Sequence, residues 1–206
     1  MPFLPKKIWC RNLSFVVWES VYEPAEDTFL FSEYIDASTG MAVLDIGTGC
    51  GILGILAAKK AKVVVALDIN PNAIRCAIEN AQLCKVDKKM FFIQGDLLSP
   101  ISIRQHFDRI LFNAPYLPTD PGESVSWLAR AWDGGITGRE VIDRFIHSAH
   151  KYLKDGGKIF LMQSTLVEVD RTIETFAEVN MKADIVAKLN LPFFETLLLL
   201  KAQRDK

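Results

Sequence analysis

The stretch Val43-Leu44-Asp45-Ile46-Gly47-Thr48-Gly49-Cys50-Gly51 decides the fold of this chain. A short apolar run that ends in closely spaced glycines is typical of a buried strand turning into a helix, because glycine lets the backbone turn tightly beside a bound ligand. A dinucleotide-binding turn of the form G-x-G-x-x-G would need a third glycine at position 52, which is Ile52. A turn that carries Asp45 suits a ligand with cationic ammonium and sulfonium groups.

The chain around this stretch alternates short apolar or β-branched runs with longer amphipathic ones, which is the pattern of a parallel sheet with crossover helices. The predicted strands are residues 42–46, 62–67, 90–94, 109–112 and 158–162, and the predicted helices are residues 51–60, 71–84, 139–153 and 167–180. Pro71 fits the first position of its helix, with Asn70 as the N-cap.

The tail of the chain has a different pattern. Residues 182–189 and 195–201 predict two further strands around a turn, so the sheet is expected to end in an antiparallel hairpin. The predicted fold class is α/β, with a single doubly wound, mostly parallel sheet of seven strands. The 206 residues are enough for one well-buried core and few for two. We therefore expect one domain, residues 21–206, after an N-terminal extension, residues 1–20.

Composition and charge narrow the classes of function. The chain is 50% apolar and 24% charged, which is typical of a soluble globular protein. Lys and Arg number 24 and Asp and Glu 25, so the net charge near −1 gives no overall attraction to nucleic acid or anionic lipid. There is no C-x-x-C pair, no signal-peptide pattern and no apolar run near the roughly 20 residues of a membrane span. We expect a cytoplasmic protein with no structural metal and no membrane span.

Two more aspartates follow the next two predicted strands. Asp68 ends the second strand about 20 residues after the glycine turn, where a carboxylate can accept hydrogen bonds from both hydroxyls of a ribose. Asp96 and Leu97 follow the third strand, where the carboxylate can accept from an adenine amino group and the leucine can pack against the ring. Because the carboxyl ends of parallel strands meet at one edge, Asp45, Asp68 and Asp96 are expected to share a pocket. Their order and spacing resemble the class I S-adenosylmethionine-dependent methyltransferases, which implies a Rossmann-like fold and that cofactor.

The fourth strand runs into Asn113-Ala114-Pro115-Tyr116, which resembles the Asn-Pro-Pro-Tyr motif of methyltransferases that act on planar nitrogens. The lone pair of an amide or aryl amine is delocalised, so such a nitrogen must be oriented and its developing positive charge relieved. The Asn113 side-chain oxygen and the Ala114 carbonyl are expected to accept its two N–H groups, and Tyr116 to stack on the flat acceptor. Alanine at 114 departs from the motif but keeps the carbonyl, and Pro115 still biases it towards an extended backbone.

Two flanking segments narrow the resemblance. The first, Val21-Tyr22-Glu23-Pro24-Ala25-Glu26-Asp27-Thr28-Phe29-Leu30, is similar to a stretch of the short, archaeal and eukaryotic type of HemK-like (PrmC-type) N5-glutamine protein methyltransferase. The second, Trp132-Asp133-Gly134-Gly135-Ile136-Thr137-Gly138-Arg139-Glu140-Val141, is similar to the W-x-G-G-x-x-G-R-E-V of the same group. The resemblance implies the following cofactor-binding residues: Thr28, Asp45, Gly47, Thr48, Gly49, Asp68, Asp96, Leu97 and Asn113.

The resemblance also implies a substrate and a partner. The substrate is the glutamine of the Gly-Gly-Gln loop in a translation termination factor, methylated on its side-chain amide nitrogen. Proteins of the short type bind a small zinc-binding activator, and the apolar run Met90-Phe91-Phe92-Ile93 is expected to receive it, because the third strand usually lies at the sheet margin. Helices covering both faces of the sheet equally account for that run.

Other functions stay open at this stage. The same motif chemistry serves the exocyclic amines of adenine and guanine, but no target-recognition domain or basic and aromatic cluster favours nucleic acid as a partner. Methylation of a protein lysine is a narrower alternative. A catalytically silent scaffold that keeps the fold is the third, although the intact Asn113 and Tyr116 favour an enzyme.

Overall fold

The computed structural model of the protein describes residues 5–119 and 126–204. The chain begins with an antiparallel hairpin of β1 (Lys6–Cys10) and β2 (Leu13–Val17). Helix α1 (Glu26–Glu33) follows it. Neither the hairpin nor α1 is predicted by the sequence patterns, so both are additions to the expected arrangement.

A second sheet, of seven strands, forms the centre of the molecule. Its strands and the helices between them are, in chain order, β3 (Ala42–Ile46), α2 (Ile52–Ala58), β4 (Val63–Asp68), α3 (Pro71–Leu83), β5 (Met90–Gln94), β6 (Phe107–Asn113), α4 (Glu140–Ala149), β7 (Leu153–Ser164), α5 (Val169–Glu178), β8 (Met181–Asn190) and β9 (Thr196–Arg204). Helix α3 begins as the sequence predicts, with Pro71 first and the Asn70 side chain accepting a hydrogen bond from the Asn72 N–H at 2.9 Å.

The strand order is β5-β4-β3-β6-β7-β9-β8. Strands β3 to β7 pair in parallel, and β9 pairs antiparallel with both β7 and β8. This arrangement confirms the predicted α/β fold class and the antiparallel C-terminal hairpin, with β5 at the margin of the sheet. The order reverses between β3 and β6, and open α/β sheets bind ligands in the crevice at such a reversal.

The end of α4 and the start of β7 both lie earlier in the chain than the sequence predicts. Helix α4 ends at Ala149, before the predicted end at residue 153, and a 3₁₀ turn leads into β7, which begins at Leu153. The first five residues of β7 include Lys154, Asp155 and two glycines. These residues interrupt the apolar pattern, so the sequence predicts a strand only from residue 158.

Side chains of the central strands alternate between the two faces of the sheet. Val43 belongs to a buried cluster with residues of α2, α3 and the N-terminal hairpin, including Phe15. Leu44, the next residue, belongs to the opposite cluster, with Phe145 of α4 and Phe176 of α5. The core therefore has two layers, and the hairpin belongs to the first of them.

A buried asparagine of α3 forms the two shortest hydrogen bonds between this helix and the hairpin. The Val16 N–H donates to Asn80 Oδ1 at 2.7 Å, and Asn80 Nδ2 donates to the Val16 carbonyl at 2.7 Å. The same nitrogen donates to the Cys50 carbonyl at 2.8 Å. Asn80 is fully buried. Its side chain therefore pairs with β2 as a neighbouring strand would, and it connects the hairpin to the glycine turn.

All four cysteines are free and buried, and all lie in the layer that contains the hairpin: Cys10, Cys50, Cys76 and Cys84. Burial raises the pKa of the Cys76 thiol to about 11 and also raises the pKa values of Cys50 and Cys84. Across residues 5–119 and 126–204 there is no group of three or more His, Cys, Asp or Glu side chains that could hold a metal ion. No helix in those ranges combines the length and apolar character of a membrane span.

Candidate active site

A cavity of about 590 Å³ opens at the carboxyl edge of the parallel strands, where β3, β4, β5 and β6 end. Most of the residues predicted from the sequence line it: Thr28, Gly47, Thr48, Gly49, Asp68, Asp96, Leu97, Asn113, Ala114, Pro115 and Tyr116. The structure thus brings together segments from five places in the chain. Their individual roles stay predictions.

The glycine turn after β3 forms the floor of this cavity. Gly47 and Gly49 have φ values of +62° and +55°, a left-handed conformation that glycine adopts without the steric cost of a side chain. The Gly49 N–H donates to Asp68 Oδ2 at 2.9 Å, and the Asn70 N–H donates to Asp68 Oδ1 at 2.8 Å. Asp68 therefore holds the turns after β3 and β4 together, in addition to its predicted contact with a ribose.

Asp45 lies behind the lining of the cavity. Its Oδ2 accepts hydrogen bonds from Thr48 Oγ1 at 2.6 Å and from the Gly54 N–H at 2.9 Å. A Cβ on Gly54 would stand 2.7 Å from that oxygen, so only glycine allows the close approach. Asp45 Oδ1 is buried and has no hydrogen-bond partner among the described residues. Burial raises the pKa of this carboxyl group from 3.8 to about 7, against the effect of its two donors.

Asp96 and Leu97 line the far end of the cavity, after β5. Leu97 has a φ of +46°, an uncommon value for a residue with a side chain, and it sits in the short turn that carries Asp96. Arg144 of α4 also lines the cavity, and its Nη2 donates to Asp96 Oδ2 at 2.5 Å. Arg144 is not predicted from the sequence, because nothing in the local pattern of α4 separates it from a solvent-exposed helix residue.

Asn113 ends β6 and is held by the start of α1. Its Nδ2 donates to Asp27 Oδ2 and to Thr28 Oγ1, both at 3.1 Å. Its Oδ1 is buried and has no partner among the described residues. The carboxamide therefore has its N–H groups directed at α1 and an oxygen that is free to accept a hydrogen bond. Asp27 is therefore a further residue of the site, and the sequence indicates it only as part of the Tyr22–Thr28 motif.

Ala114, Pro115 and Tyr116 continue the lining after Asn113. Ala114 is buried, and its N–H donates to the Met162 carbonyl at 3.4 Å, which keeps this segment beside β7. Tyr116 is half-buried at the cavity wall. Burial, with the negative charge of Asp27 and Glu195, raises the pKa of Tyr116, so its ring carries a neutral hydroxyl at physiological pH.

The segment around Trp132 forms the outer wall of the cavity. The Leu117 N–H donates to the Trp132 carbonyl at 2.8 Å, and the Gly134 N–H donates to the Leu117 carbonyl at 2.7 Å. Arg139, in the same motif, is buried and donates to the Glu168 carbonyl at 2.6 Å and to Asp143. The motif therefore supports the chain that follows Tyr116, and its arginine joins α4 to the start of α5.

Comparison with known proteins assigns the chain to a family. A putative protein N5-glutamine methyltransferase of Methanocaldococcus jannaschii is 43% identical over 186 residues, which cover 89% of this chain and 92% of that protein. The chain belongs to the HemK-like protein-glutamine methyltransferases. Methyltransferase HEMK2 of Homo sapiens is 34% identical to this glutamine methyltransferase, over 70% of the chain and 72% of HEMK2. The family model of ribosomal protein L11 methyltransferase (PrmA) matches residues 29–114. These findings confirm the resemblance stated from the sequence.

Solved structures confirm the fold of this glutamine methyltransferase. The E. cuniculi Mtq2–Trm112 complex, described as responsible for the methylation of the eRF1 translation termination factor, contains a chain with a TM-score of 0.70 and 24% identity. The match covers 90% of this chain and 99% of that one. At this level of identity, the likeness supports the class I methyltransferase fold.

Proposed function

We propose that this protein transfers a methyl group from S-adenosylmethionine to the side-chain amide nitrogen of a glutamine in a translation termination factor. The observation that carries the proposal is the Asn113 carboxamide, whose N–H groups are held by α1 while its buried Oδ1 has no partner among the described residues. A buried acceptor without a donor is rare, because burial removes its water. The N–H of an incoming amide would satisfy it.

The chemistry of an amide nitrogen explains why this geometry is needed. Its lone pair is delocalised into the carbonyl, so it is a weak nucleophile until it is oriented and its developing positive charge is relieved. Asn113 Oδ1 would accept one N–H of the acceptor and the Ala114 carbonyl the other, as the motif predicts. The Tyr116 ring, whose hydroxyl group stays protonated because its pKa is raised, would pack on the flat amide.

The lining residues fit the proposed cofactor. When bound, S-adenosylmethionine supplies an electrophilic methyl carbon on its sulfonium sulfur. Asp68, Asp96 and Leu97 line the cavity. Asp68 would accept hydrogen bonds from the ribose hydroxyls, Asp96 would accept from the adenine amino group, and Leu97 would pack against the adenine ring. Thr28 and the glycine turn would hold the methionyl part. A volume of about 590 Å³ lies within the roughly 300–1,000 Å³ of small-molecule sites.

The substrate follows from the relatives and from the acceptor chemistry. A relative from Geobacter sulfurreducens is named a release factor glutamine methyltransferase and is 34% identical over 71% of this chain. The acceptor that we propose is the glutamine of the Gly-Gly-Gln loop. The chain's net charge near −1 gives no general attraction for nucleic acid, which favours the protein acceptor over a nucleobase.

Label transfer from the cofactor tests this function. The enzyme and any required partner are incubated with the termination factor and S-adenosylmethionine carrying a labelled methyl group. We expect label on the loop glutamine and none on a factor whose loop glutamine is replaced by alanine. Label on a lysine, on RNA or on DNA instead would refute the proposal, and it would identify which of the alternatives is correct.

The Asn113→Ala variant tests the residue that carries the proposal. We expect turnover to fall about 100-fold or more, because the acceptor nitrogen loses its orienting oxygen. The affinity for the cofactor, measured by calorimetry, should change little. Turnover equal to that of the wild type would remove Asn113 from the mechanism.

A small activator protein is the second part of the proposal, and we place its site at the β5 edge. Strand β5 pairs only with β4 among the strands of the described sheet. Phe91 is 61% exposed there, while Met90 is buried and Phe92 and Ile93 are half-buried. An exposed edge with apolar side chains favours addition of a strand from another chain. The partner that we expect is the zinc-binding activator of the short HemK-like proteins.

Co-purification tests the partner site. Phe91→Asp should abolish co-purification with the activator, because a charge would be buried in the interface. Phe193→Asp is the matched control, since Phe193 is also exposed but lies in the β8–β9 turn at the other end of the sheet order. Equal binding by both variants and the wild type would exclude the β5 edge.

A further inference from the structure

We propose that Asp27 is a positioning residue that determines which end of the Asn113 carboxamide faces the acceptor. This inference rests on the proposed function, because it concerns the oxygen that would accept the glutamine N–H. Asp27 is almost fully buried at the start of α1, and it lies 86 positions from Asn113 in the chain. A carboxyl group in such a place needs hydrogen-bond partners, and it has several.

Four donors are directed at the Asp27 carboxyl group. Its Oδ2 accepts from the Tyr22 hydroxyl at 2.9 Å and from Asn113 Nδ2 at 3.1 Å. Its Oδ1 accepts from the Thr28 N–H at 2.5 Å and from Thr28 Oγ1 at 3.0 Å. Burial, reinforced by the charge of Asp27, raises the pKa of Tyr22, so the tyrosine hydroxyl remains a donor. The carboxyl group therefore acts as an acceptor towards every one of these neighbours.

This arrangement fixes the orientation of Asn113. A carboxylate can only accept, so the amide must present its N–H groups to Asp27. The Thr28 hydroxyl gives its own hydrogen to Asp27, so it too faces Asn113 Nδ2 as an acceptor. With both neighbours accepting, a rotated carboxamide would place its oxygen against two other oxygens. Asn113 Oδ1 is consequently directed away from Asp27 and Thr28, and it is buried with no hydrogen-bond partner among the described residues.

The Asp27→Asn variant should reverse that orientation. The Thr28 main-chain N–H cannot be redirected, so the new amide oxygen would take the position of Oδ1 and its NH2 group would face Asn113. Asn113 would then rotate to offer its oxygen to residue 27 and its NH2 to the acceptor. The NH2 group of Asn113 would then face the NH2 group of the substrate glutamine. The glutamine nitrogen would have no oxygen of Asn113 to which it could donate. In Asp27→Ala no such group forces the rotation, so part of the population would keep the productive orientation.

Steady-state kinetics with the termination factor test whether Asp27→Asn lowers kcat more than Asp27→Ala does. We expect kcat to fall about 100-fold in Asp27→Asn and about tenfold in Asp27→Ala, with the cofactor affinity within about threefold of the wild type. Adding Asn113→Asp to Asp27→Asn should restore part of the lost kcat, because a carboxylate at 113 accepts on both oxygens. Glu26→Gln is the matched control: it removes a charge from the adjacent, exposed position and should keep kcat within about twofold.

A purely structural role for Asp27 predicts the opposite order, since asparagine is the milder replacement. The proposal would be overturned if kcat fell further in Asp27→Ala than in Asp27→Asn. It would also be overturned if the double variant recovered no kcat.

A second measurement does not depend on any substrate. In the enzyme without acceptor, the Asn113 side-chain NH2 signals in nitrogen-15 NMR should be protected from solvent exchange, because both hydrogens face Asp27 and Thr28. Exchange should accelerate at least about tenfold in Asp27→Asn and stay unchanged in Glu26→Gln. Unchanged exchange in Asp27→Asn would refute the positioning role even if methyl transfer is observed. Absence of methyl transfer by the wild type, with this exchange pattern intact, would instead refute the proposed function.

Discussion

At the scale of single residues, the Asp45 carboxyl group near the end of β3 accepts hydrogen bonds from the turn and the helix that follow the strand. Its Oδ2 is held by Thr48 and by the Gly54 N–H, and its Oδ1 is buried without a partner among the described residues. The charged form is therefore poorly solvated, which is why burial raises the pKa to about 7. The fold favours the protonated form of this group more than the unfolded chain does.

This preference predicts how stability depends on pH. For an acid whose pKa is raised by folding, stability is present at low pH and is lost as pH rises through the folded-state value. The unliganded wild type should therefore lose roughly 2 kcal/mol between pH 5 and pH 8 through Asp45, relative to Asp45→Asn. Urea unfolding at both pH values measures it. Asp155→Asn, at an exposed position, is the control, and parallel pH curves for wild type and Asp45→Asn would contradict the prediction.

At the scale of elements, the hairpin is hydrogen-bonded to α3 mainly through one side chain. Asn80 pairs with both the N–H and the carbonyl of Val16, and also with the Cys50 carbonyl. A helix side chain thus replaces the ladder that β2 would otherwise make with another strand. The stability of the hairpin and of α3 are consequently coupled.

Asn80→Ala should lower the free energy of unfolding by about 3 kcal/mol. The substitution leaves the buried Val16 N–H and Cys50 carbonyl without partners, whereas the Val16 carbonyl keeps its hydrogen bond from Cys76 Sγ at 3.2 Å. Each unpaired group costs roughly 1–3 kcal/mol, which relaxation and water entry partly offset. Gln82→Ala on the exposed side of the same helix is the control and should cost little. Chemical denaturation compares the two variants. A loss under about 1 kcal/mol for Asn80→Ala would mean that the hairpin is held mainly by apolar packing.

The turn between β8 and β9 should tolerate and even benefit from substitution. Phe193 and Phe194 have φ values of +62° and +66°, and both side chains are fully exposed. Residues with a Cβ are strained in this region by roughly 1–2 kcal/mol each, whereas Asn-Gly suits such a turn. The double variant Phe193→Asn/Phe194→Gly should therefore raise the free energy of unfolding by about 1–2 kcal/mol. A lower melting temperature would show that the phenylalanines contribute to the fold.

The sequence predicts the parallel strands well and the N-terminal elements poorly, for physical reasons. Strands β3 and β5 have the predicted bounds because short, mostly apolar runs mark them. Helix α1 is missed because its buried face carries Asp27, Thr28 and Ser32, so no apolar stripe is visible. The pocket residues at the strand ends are foreseeable from strand order. The contact between Asp27 and Asn113 is not, since it joins residues 86 positions apart.

At the scale of the whole molecule, the N-terminal hairpin shares a core layer with α2 and α3. Phe15 is completely buried, and Val16 and Val17 are nearly so. Removing residues 1–20, the predicted extension, should therefore lower the free energy of unfolding by at least about 3 kcal/mol, because burying one large apolar side chain contributes about 1.5–3 kcal/mol. Thermal unfolding of residues 21–206 measures this. Unchanged stability would support a domain that is complete from residue 21.

The location of the four thiols offers a way to follow opening of one side of the molecule. An alkylating reagent reacts with a thiolate that it can reach, and these sulfur atoms are covered by the hairpin, α2 and α3, with raised pKa values at three of them. Labelling of the native enzyme should consequently be slow and should record separation of those elements from the sheet. Fraying of α4 or α5 would not expose any of these thiols. The rate of alkylation therefore reports opening of only one of the two core layers.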